Sequence, residues 1–255
     1  MIAGSAYREH RPTGPLAEFV ECLWWTRGEG GGRTAVLPDG CVDLLFERHP
    51  PQHAARVVGT MRRPRVVHCE GPYELLAVRF RAGGASALLN LDVREVVDNT
   101  TSWRPDAPQR WVLEACQRDS DVQAAASALE DHLTRRIASV RPRDRACLES
   151  AAACVTHPQR SVVEVAESLG VSRQQFRKRV VAATGLGPKQ LSRIARFRRV
   201  AGELAIGVPP SAALALENGY CDQAHMANEF RALSGSTASA YARFHSSKTV
   251  PSSPH

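Results

Sequence analysis

The side chains with the most specific chemistry lie on one face of a predicted helix in the C-terminal half. Four polar residues share that face: Arg173, Gln174, Arg177 and Lys178. The opposite face carries Phe176 and Val180, whose apolar side chains predict burial. Arg pairs with guanine, and Gln with adenine, through two parallel hydrogen bonds, while Lys is suited to a phosphate. The pattern predicts contacts to DNA bases and phosphates, and the alternative is an ordinary solvated helix face.

A second predicted helix, about fifty residues later, presents a similar but less charged face. Its outward residues are Gln223, Ala224, Ala227, Asn228 and Arg231. Its inward residues are Met226, Phe230 and Leu233. Alanine can contact only the methyl group of thymine, so we expect this face to discriminate bases less strongly. His225 either reaches the DNA backbone or packs within the helix pair.

Catalytic chemistry finds little support in the sequence. Asp39 and Asp43 are residue types that could form a carboxylate pair for general acid–base catalysis. However, Pro38, Asp39 and Gly40 predict a turn, and Asp43 is interpreted as pointing outward from a strand. Serine is nowhere framed by the G-x-S-x-G pattern of a nucleophile elbow. We therefore predict no catalytic residue, no cofactor and a protein that is not an enzyme.

The cysteines do not form a disulfide or metal-binding pattern. They are odd in number, scattered and without a C-x-x-C pair: Cys22, Cys41, Cys69, Cys116, Cys147, Cys154 and Cys221. This spacing predicts reduced thiols, mostly buried, and no metal site. A thiol- or metal-responsive role for Cys22, Cys41 or Cys69 stays open as an alternative.

The two polar faces belong to a repeat that positions them. Equivalent residues recur at equal intervals in both copies: Ala166 to Gly170 and Ala215 to Gly219, then Phe176 to Gly185 and Met226 to Gly235. Ser161 and Glu164 form a capping-box pattern that begins a helix, and a glycine in the left-handed conformation can end one. Each copy is therefore predicted to be a helix-turn-helix, and the apolar periodicity of residues 188–205 predicts a long helix between them.

The N-terminal half has the alternation and the turn residues of β structure. Five short runs are predicted strands: residues 33–37, 41–47, 56–59, 65–69 and 74–80. They predict a small antiparallel sheet or open barrel, followed by short helices from residue 85. Trp24 and Trp25, with Phe19 and Leu23, are interpreted as core residues rather than as a ligand cage.

The charge of the chain is distributed unevenly. Residues 143–255 contain 15 Lys and Arg and 8 Asp and Glu, whereas residues 1–142 contain 18 of each. The whole formal excess of +7 therefore lies in the C-terminal part, which favours nucleic acid as a partner. An apolar content of 43% excludes whole-chain disorder, and no apolar run approaches the roughly 18 residues of a membrane span. The first residues also lack a signal peptide, so we expect a cytoplasmic protein without a membrane partner.

Residues from about 145 to 245 resemble the AraC/XylS-type DNA-binding domain. Four segments carry the resemblance: Gly219 to Arg231 (GYCDQAHMANEFR), Gly235 to Thr237 (GST), Tyr241, and residues 185–188 (GLGP). The family usually has Pro at the position of Ala238. The resemblance implies two helix-turn-helix units bridged by a long helix. Residues 37–46 (LPDGCVDLLF) and 77–85 resemble the uncharacterised β-rich domains attached to some AraC-type regulators, which implies a regulatory or ligand-sensing role.

We therefore expect an α+β fold with a β-rich, sensor-like N-terminal domain and an all-α C-terminal domain. The expected divisions are a sensor domain at 1–103, a helical connector at 104–142, a DNA-binding domain at 143–245 and a disordered tail at 246–255. The DNA-binding domain contains the two helix-turn-helix units and the long helix that bridges them.

The leading functional hypothesis is a sequence-specific DNA-binding transcriptional regulator that responds to a small-molecule effector through its N-terminal domain. One alternative is a thiol- or metal-responsive regulator, and another is an enzyme that modifies a small molecule and is fused to a DNA-binding module. The expected partners are double-stranded DNA, bound in the major groove at an asymmetric site, and an unknown effector. RNA polymerase is a further candidate partner, and the oligomeric state stays open.

Overall fold

The computed structural model describes residues 6–49, 52–103 and 122–246. Its N-terminal strands are β1 (Ala6–His10), β2 (Val20–Gly28), β3 (Gly32–Val36), β4 (Val42–His49), β5 (Gln52–Val58), β6 (Arg65–Cys69), β7 (Tyr73–Phe80) and β8 (Thr100–Ser102). Six of them form an antiparallel sheet in the order β1-β2-β7-β4-β5-β8, and β3 pairs with β6 in a separate ribbon. The predicted antiparallel sheet is therefore confirmed, and β1, β2 and β8 are additional strands.

Alternation along the strands divides the large sheet into an apolar face and a more polar face. On β4, Val42, Leu44 and Phe46 are buried, while Asp43 and Glu47 point to the other side and are partly exposed. Successive side chains of a strand point to opposite faces, so the same division runs across β2 and β7. The apolar face forms the N-terminal core, and the second face is left to line a cleft.

The helices of the described residues are α1 (Gly84–Leu89), α2 (Val122–Arg136), α3 (Pro142–Thr156), α4 (Val162–Ser168), α5 (Arg173–Thr184), α6 (Pro188–Ala205), α7 (Ala212–Glu217), α8 (Gln223–Ser234) and α9 (Ala238–Ser246). Short 3-10 helices occupy Gly14–Glu18, Val93–Val96 and Ile137–Ser139. Helix α2 was expected in a connector, but it packs into the N-terminal core through Ala125, Leu129 and Leu133. The remainder of the predicted connector, residues 104–121, and the tail beyond residue 246 lie outside the described residues.

The C-terminal helices form the two predicted helix-turn-helix units, α4–α5 and α7–α8, with α6 between them. Ser161 and Glu164 make both hydrogen bonds of a capping box at the start of α4. Ser172 caps α5, and Asp222 caps α8, by accepting a hydrogen bond from a backbone N–H in the first turn. These caps fix the first residue of each second helix, because they satisfy backbone donors that otherwise lack partners.

The loop after β5 packs tightly against the segment that precedes β8. The Gly59 N–H donates to the Asn99 carbonyl at 3.0 Å, and Asp98 N–H donates to the Thr60 carbonyl at 2.8 Å. A Cβ atom at Gly59 would lie 1.7 Å from the Val96 carbonyl oxygen, a distance at which the backbone must move. Gly202, in contrast, lies within α6 and has no atom within 4 Å of the position of an added Cβ.

We predict opposite effects for the same substitution at these two glycines. Gly59→Ala should lower the free energy of unfolding by more than about 1 kcal/mol, since the native backbone cannot accommodate the methyl group. Gly202→Ala should raise it by roughly 0.5–1 kcal/mol, because alanine loses less conformational entropy in a helix. Urea unfolding of both variants and the wild type measures the difference, and equal midpoints for the two variants would contradict this packing.

Candidate nucleic-acid interface and adjoining cleft

The first candidate DNA-contacting surface is the exposed face of α5. The side chains of Arg173, Gln174, Arg177 and Lys178 are all exposed there. Phe176 and Val180, on the other side of the helix, are both 0% exposed, so the helix cannot rotate without exposing its core contacts. Within the described part of the chain, no ion pair or side-chain hydrogen bond engages the four polar side chains. They are therefore available to a ligand outside the protein.

The second candidate surface is the exposed face of α8. Ala224, Ala227, Asn228 and Arg231 are exposed, while Met226, Phe230 and Leu233 are buried. Gln223 is also exposed, but its amide donates to the Pro210 carbonyl at 3.0 Å. That bond holds the start of α8 against the loop that precedes α7. Gln223 is thus partly engaged within the protein, unlike the polar residues of α5.

An ionic cluster around Glu229 joins α8 to the long helix α6. The Glu229 carboxylate accepts from Arg193 at 2.8 Å and from Arg196 at 3.4 Å. The Arg196 guanidinium also lies over the ring of Tyr220, 5.3 Å from its centroid. This cluster was not anticipated from the sequence, where Glu229 was assigned to neither face of α8. The signal in the sequence is the i, i+3 pair Arg193 and Arg196, which places two guanidinium groups on one face of α6.

His225 is a packed histidine in this structure. Its Nδ1 accepts from the Cys221 N–H at 3.4 Å, and its ring meets Tyr220 edge to face with centroids 5.3 Å apart. Nε2 lies 3.8 Å from the Glu229 carboxylate. Both ring nitrogens thus face groups of the protein, which favours the second of the two interpretations made from the sequence.

The turn after each second helix contacts the N-terminal domain. Thr60 donates to the Thr184 carbonyl at 2.9 Å, at the end of α5. A Cβ atom at Gly235, which follows α8, would lie 3.8 Å from the Pro64 ring. We call residues 59–64 the bridging loop, since it reaches both turns. The loop is held from behind by Asp98, which forms an ion pair with Arg62.

Comparison with known proteins matches both parts of the chain. Residues 165–243 match the family described as a helix-turn-helix domain, and residues 8–102 match a domain of unknown function (DUF6597). The C-terminal region is an AraC-type helix-turn-helix domain. Such domains bind DNA and occur in transcription regulators. No curated protein matches the chain in sequence.

The chain is also similar to solved structures of ToxT from Vibrio cholerae. A 1.65 Å structure of ToxT is 10% identical, with a TM-score of 0.46, covering 87% of this chain and 97% of that one. The structure of unsaturated fatty acid bound ToxT from strain SCE256 is 11% identical, with a TM-score of 0.45, covering 86% of this chain and 94% of that one. A ToxT structure from strain O395 is 9% identical, with a TM-score of 0.46 and coverage of 87% and 97%.

A cleft of about 1010 Å³ lies between the N-terminal sheet and the AraC-type domain. Its walls are the more polar face of the large sheet, the β3–β6 ribbon and helix α6. Trp24, Asp43 and Arg79 come from the sheet, and Phe197 and Arg198 come from α6. The cleft thus borders the helix that joins the two helix-turn-helix units.

For two residues of the cleft, Asp43 and Trp24, the structure differs from what the sequence predicted. The Asp43 side chain points away from the apolar face of the sheet, as expected. Its carboxylate, however, accepts two hydrogen bonds from Arg79, at 3.1 and 3.2 Å, and one from the Trp24 indole N–H. Phe19 and Leu23 are core residues, as predicted. Trp24 is only partly buried and lines the cleft, because it alternates with Leu23 along β2.

An ion pair joins the AraC-type domain to β2 beside this cleft. Arg198 donates to the two oxygens of Glu21 at 2.7 and 3.2 Å, and also to the Asp39 carbonyl at 3.4 Å. Burial by itself raises the pKa of Glu21, but the hydrogen bond and charge of Arg198 lower that pKa to about 2. The carboxylate therefore stays ionised, and its attraction to Arg198 contributes to the contact between the two domains.

The three cysteines of the thiol-responsive alternative have surroundings that oppose reactivity. Burial raises the pKa of Cys22 to about 12, and it also raises the pKa of Cys41 and of Cys69. A raised pKa reduces the fraction of reactive thiolate. Within residues 6–49, 52–103 and 122–246, no group of three or more His, Cys, Asp or Glu side chains is arranged to hold a metal ion.

No helix within those ranges has the length and apolar character to cross a membrane.

The Glu21–Arg198 pair predicts a pH-dependent part of the stability. Because the pKa of Glu21 lies below its ordinary value of 4.5, the stabilisation is complete above that pH and is lost as the pH falls toward 2. Glu21→Gln should therefore lower the free energy of unfolding by about 1–2 kcal/mol at neutral pH, after allowance for solvent screening. The difference from the wild type should shrink as the pH falls below 4.5.

Urea unfolding at a series of pH values measures this difference. Glu167→Gln is the matched control, since Glu167 is an exposed carboxylate on α4. A Glu21→Gln effect that is as large in acid as at neutral pH would show that the ion pair is not its cause.

Proposed function

We propose that the chain is a sequence-specific regulator of transcription, which binds DNA through both helix-turn-helix units and responds to a small molecule bound in its N-terminal domain. The observation that carries this proposal is the α5 face, where four polar side chains point outward without partners in the described part of the chain. Their counterparts on α8 are exposed in the equivalent helix of the second unit. In this scheme the protein acts by binding, without catalysis.

The residue types on these faces support readout of bases rather than general attraction alone. On α5, Arg177 is suited to the two acceptors of guanine, and Gln174 to the acceptor and donor of adenine. Lys178 and Arg173 add positive charge that a phosphate can neutralise. On α8, Asn228 can pair with adenine, Arg231 with guanine or a phosphate, and the two alanines leave room for thymine methyl groups. We therefore assign the stronger base selection to α5.

A small-molecule response is supported by where the cleft lies. Its walls include α6, which carries a helix-turn-helix unit at each end, and β6, which follows the bridging loop directly. A molecule that changes the distance between β6 and α6 would act on elements that contact both DNA-binding units. This proposal treats residues 1–103 as the sensor and residues 143–245 as the DNA-binding part, with α2 packed on the sensor.

A monomer should protect two successive major grooves on one side of an asymmetric DNA site, about 34 Å apart, because the two recognition helices are held on one long helix. The test is hydroxyl-radical footprinting of the full chain on a site selected from random duplexes. Protection of a single groove, or failure to select any sequence, would contradict the proposed mode of binding.

Two single substitutions on α5 should have different effects on DNA binding. Arg177→Ala should cost roughly 1–3 kcal/mol on the selected site and relax the base preference at one position. Lys178→Ala should weaken selected and random DNA alike, and it should reduce the salt dependence by about one counterion. Gel shifts at several salt concentrations measure both effects.

Arg33→Ala serves as the control for this experiment, because it removes one exposed positive charge from the N-terminal ribbon. Its DNA affinity should equal that of the wild type. If Arg177→Ala behaved like this control on both selected and random DNA, Arg177 would not contact a base.

A further inference from the structure

The cleft between the sheet and α6 has a chemical character that identifies its ligand class. We propose that it binds a small aromatic or flat apolar molecule that carries a positive charge, such as a protonated arylalkylamine. This assignment rests on the proposed role of the cleft as the effector site. Its volume of about 1010 Å³ is in the range of pockets that enclose small organic molecules.

The charge of the ligand follows from an imbalance among the partly buried groups at one side of the cleft. Three carboxylates, those of Glu21, Asp39 and Asp43, face two guanidinium groups, those of Arg79 and Arg198. Arg79 pairs with Asp43 through two hydrogen bonds, and Arg198 pairs with Glu21 in the same way. One carboxylate therefore remains without a cation of its own.

Asp39 is that carboxylate. One of its oxygens accepts from the Cys41 N–H at 2.9 Å, and the other lies 3.7 Å from the Arg79 Nε, within ion-pair range but beyond hydrogen-bond distance, while Arg79 makes its hydrogen bonds to Asp43. Its side chain is only 16% exposed, so solvent compensates its charge poorly. A cation entering the cleft near Asp39 would supply the missing charge.

The titration of Asp43 agrees with this imbalance. Burial raises the pKa of Asp43, the Arg79 guanidinium opposes that rise, and the carboxylate of Asp39 adds to it. The charge of Asp39 thus makes the ionised form of Asp43 less favourable. A bound cation would relieve the repulsion that Asp39 exerts on Asp43, whereas a bound anion would have to compete with both carboxylates for Arg79.

The rest of the lining agrees with a net negative site. The charged residues that line the cleft comprise five carboxylates and four guanidinium groups. On the sheet, Glu47 is paired with Arg56 at 3.2 Å. Arg65 is directed to the Thr100 hydroxyl at 2.9 Å and to the Asp98 carbonyl. These two arginines are therefore occupied by groups of the protein and do not form a ready site for an anion.

The aromatic part of the ligand is inferred from the side chains around the charged groups. Tyr7 and Trp24 lie side by side on the sheet, with ring centroids 6.1 Å apart and planes inclined by 30°. Phe197 and Tyr241 line the cleft from the helical side. Aromatic faces attract both flat apolar groups and cations. The Trp24 indole N–H donates to Asp43, so the aromatic and the charged surfaces adjoin.

A buried hydroxyl on the ribbon lacks a hydrogen-bond partner. The Thr34 Oγ1 is shielded from solvent and has no hydrogen-bond partner among the described residues. Thr34 lies on β3 and lines the cleft. Buried polar groups are normally satisfied, and rotation of the Thr34 side chain would be needed to turn this oxygen toward the cleft.

Calorimetric titration of the full chain at neutral pH tests this assignment with three probes that share a phenylethyl group. They are 2-phenylethylamine, which is cationic, 2-phenylethanol, which is neutral, and 3-phenylpropanoate, which is anionic. The amine should bind about tenfold more tightly than the alcohol, and the carboxylate should bind more weakly than either. Equal affinity for all three, tighter binding of the carboxylate, or no binding of the amine would overturn the proposal.

Asp39→Asn locates the charge that makes the difference. The asparagine keeps an oxygen for the Cys41 N–H, so the turn is preserved while the charge is removed. The advantage of the amine over the alcohol should fall below about threefold, whereas Glu149→Gln, on the exposed side of α3, should leave it unchanged. If both variants kept the full advantage, another group would hold the cation and the role of Asp39 would be wrong.

Gel shifts of the same protein keep this test separate from that of the proposed function. Preferential binding of the amine by a chain that bound no specific DNA would contradict the regulator and leave the ligand class standing. Specific DNA binding combined with a preference for the carboxylate would overturn the ligand class alone.

Discussion

Helix α6 carries three sets of contacts that must be satisfied together. Its buried residues pack in the C-terminal core with helices of both helix-turn-helix units. Arg193 and Arg196 hold Glu229 and thereby fix α8, while Arg198 reaches across to Glu21 of the N-terminal sheet. A helix that is held on several sides cannot rotate to serve one contact without breaking another. The orientation of the exposed faces of α5 and α8 therefore depends on α6.

The bridging loop provides a second connection between the two parts of the chain. It meets the first helix-turn-helix unit through the Thr60 hydroxyl and approaches the second through Pro64. Both contacts are made where the second helix of each unit ends, next to a glycine in the left-handed conformation that redirects the chain. The loop thus touches the two units at equivalent places, and its own position is set by hydrogen bonds and an ion pair with Asp98.

Much of the DNA-binding half could be predicted from the sequence, because its signals are local. The capping serine at 161, the glycines at 170 and 185, and the spacing of Phe176 and Val180 each act within a few residues, and the repeat doubles every one of them. The cleft could not be predicted, because it depends on pairing between distant strands. Asp43 and Arg79 are 36 residues apart, and Glu21 and Arg198 are 177 apart. Charged residues at such separations give no periodic pattern along the chain.

The separation of these surfaces has a consequence for how such a protein can diverge. The side chains that line the cleft and those on the exposed faces of α5 and α8 are different sets, carried by different elements. If the proposed function holds, new ligand preferences can arise on β2, β4 and β6, and new DNA-sequence preferences on α5 and α8, by independent substitutions. On the same proposal, substitutions in the bridging loop or on the Arg198 side of α6 would change both properties at once, because these elements contact both parts of the chain. Proteins descended from one ancestor would thus differ in the cleft lining and on the exposed faces of α5 and α8, and they would retain the residues that connect the two parts.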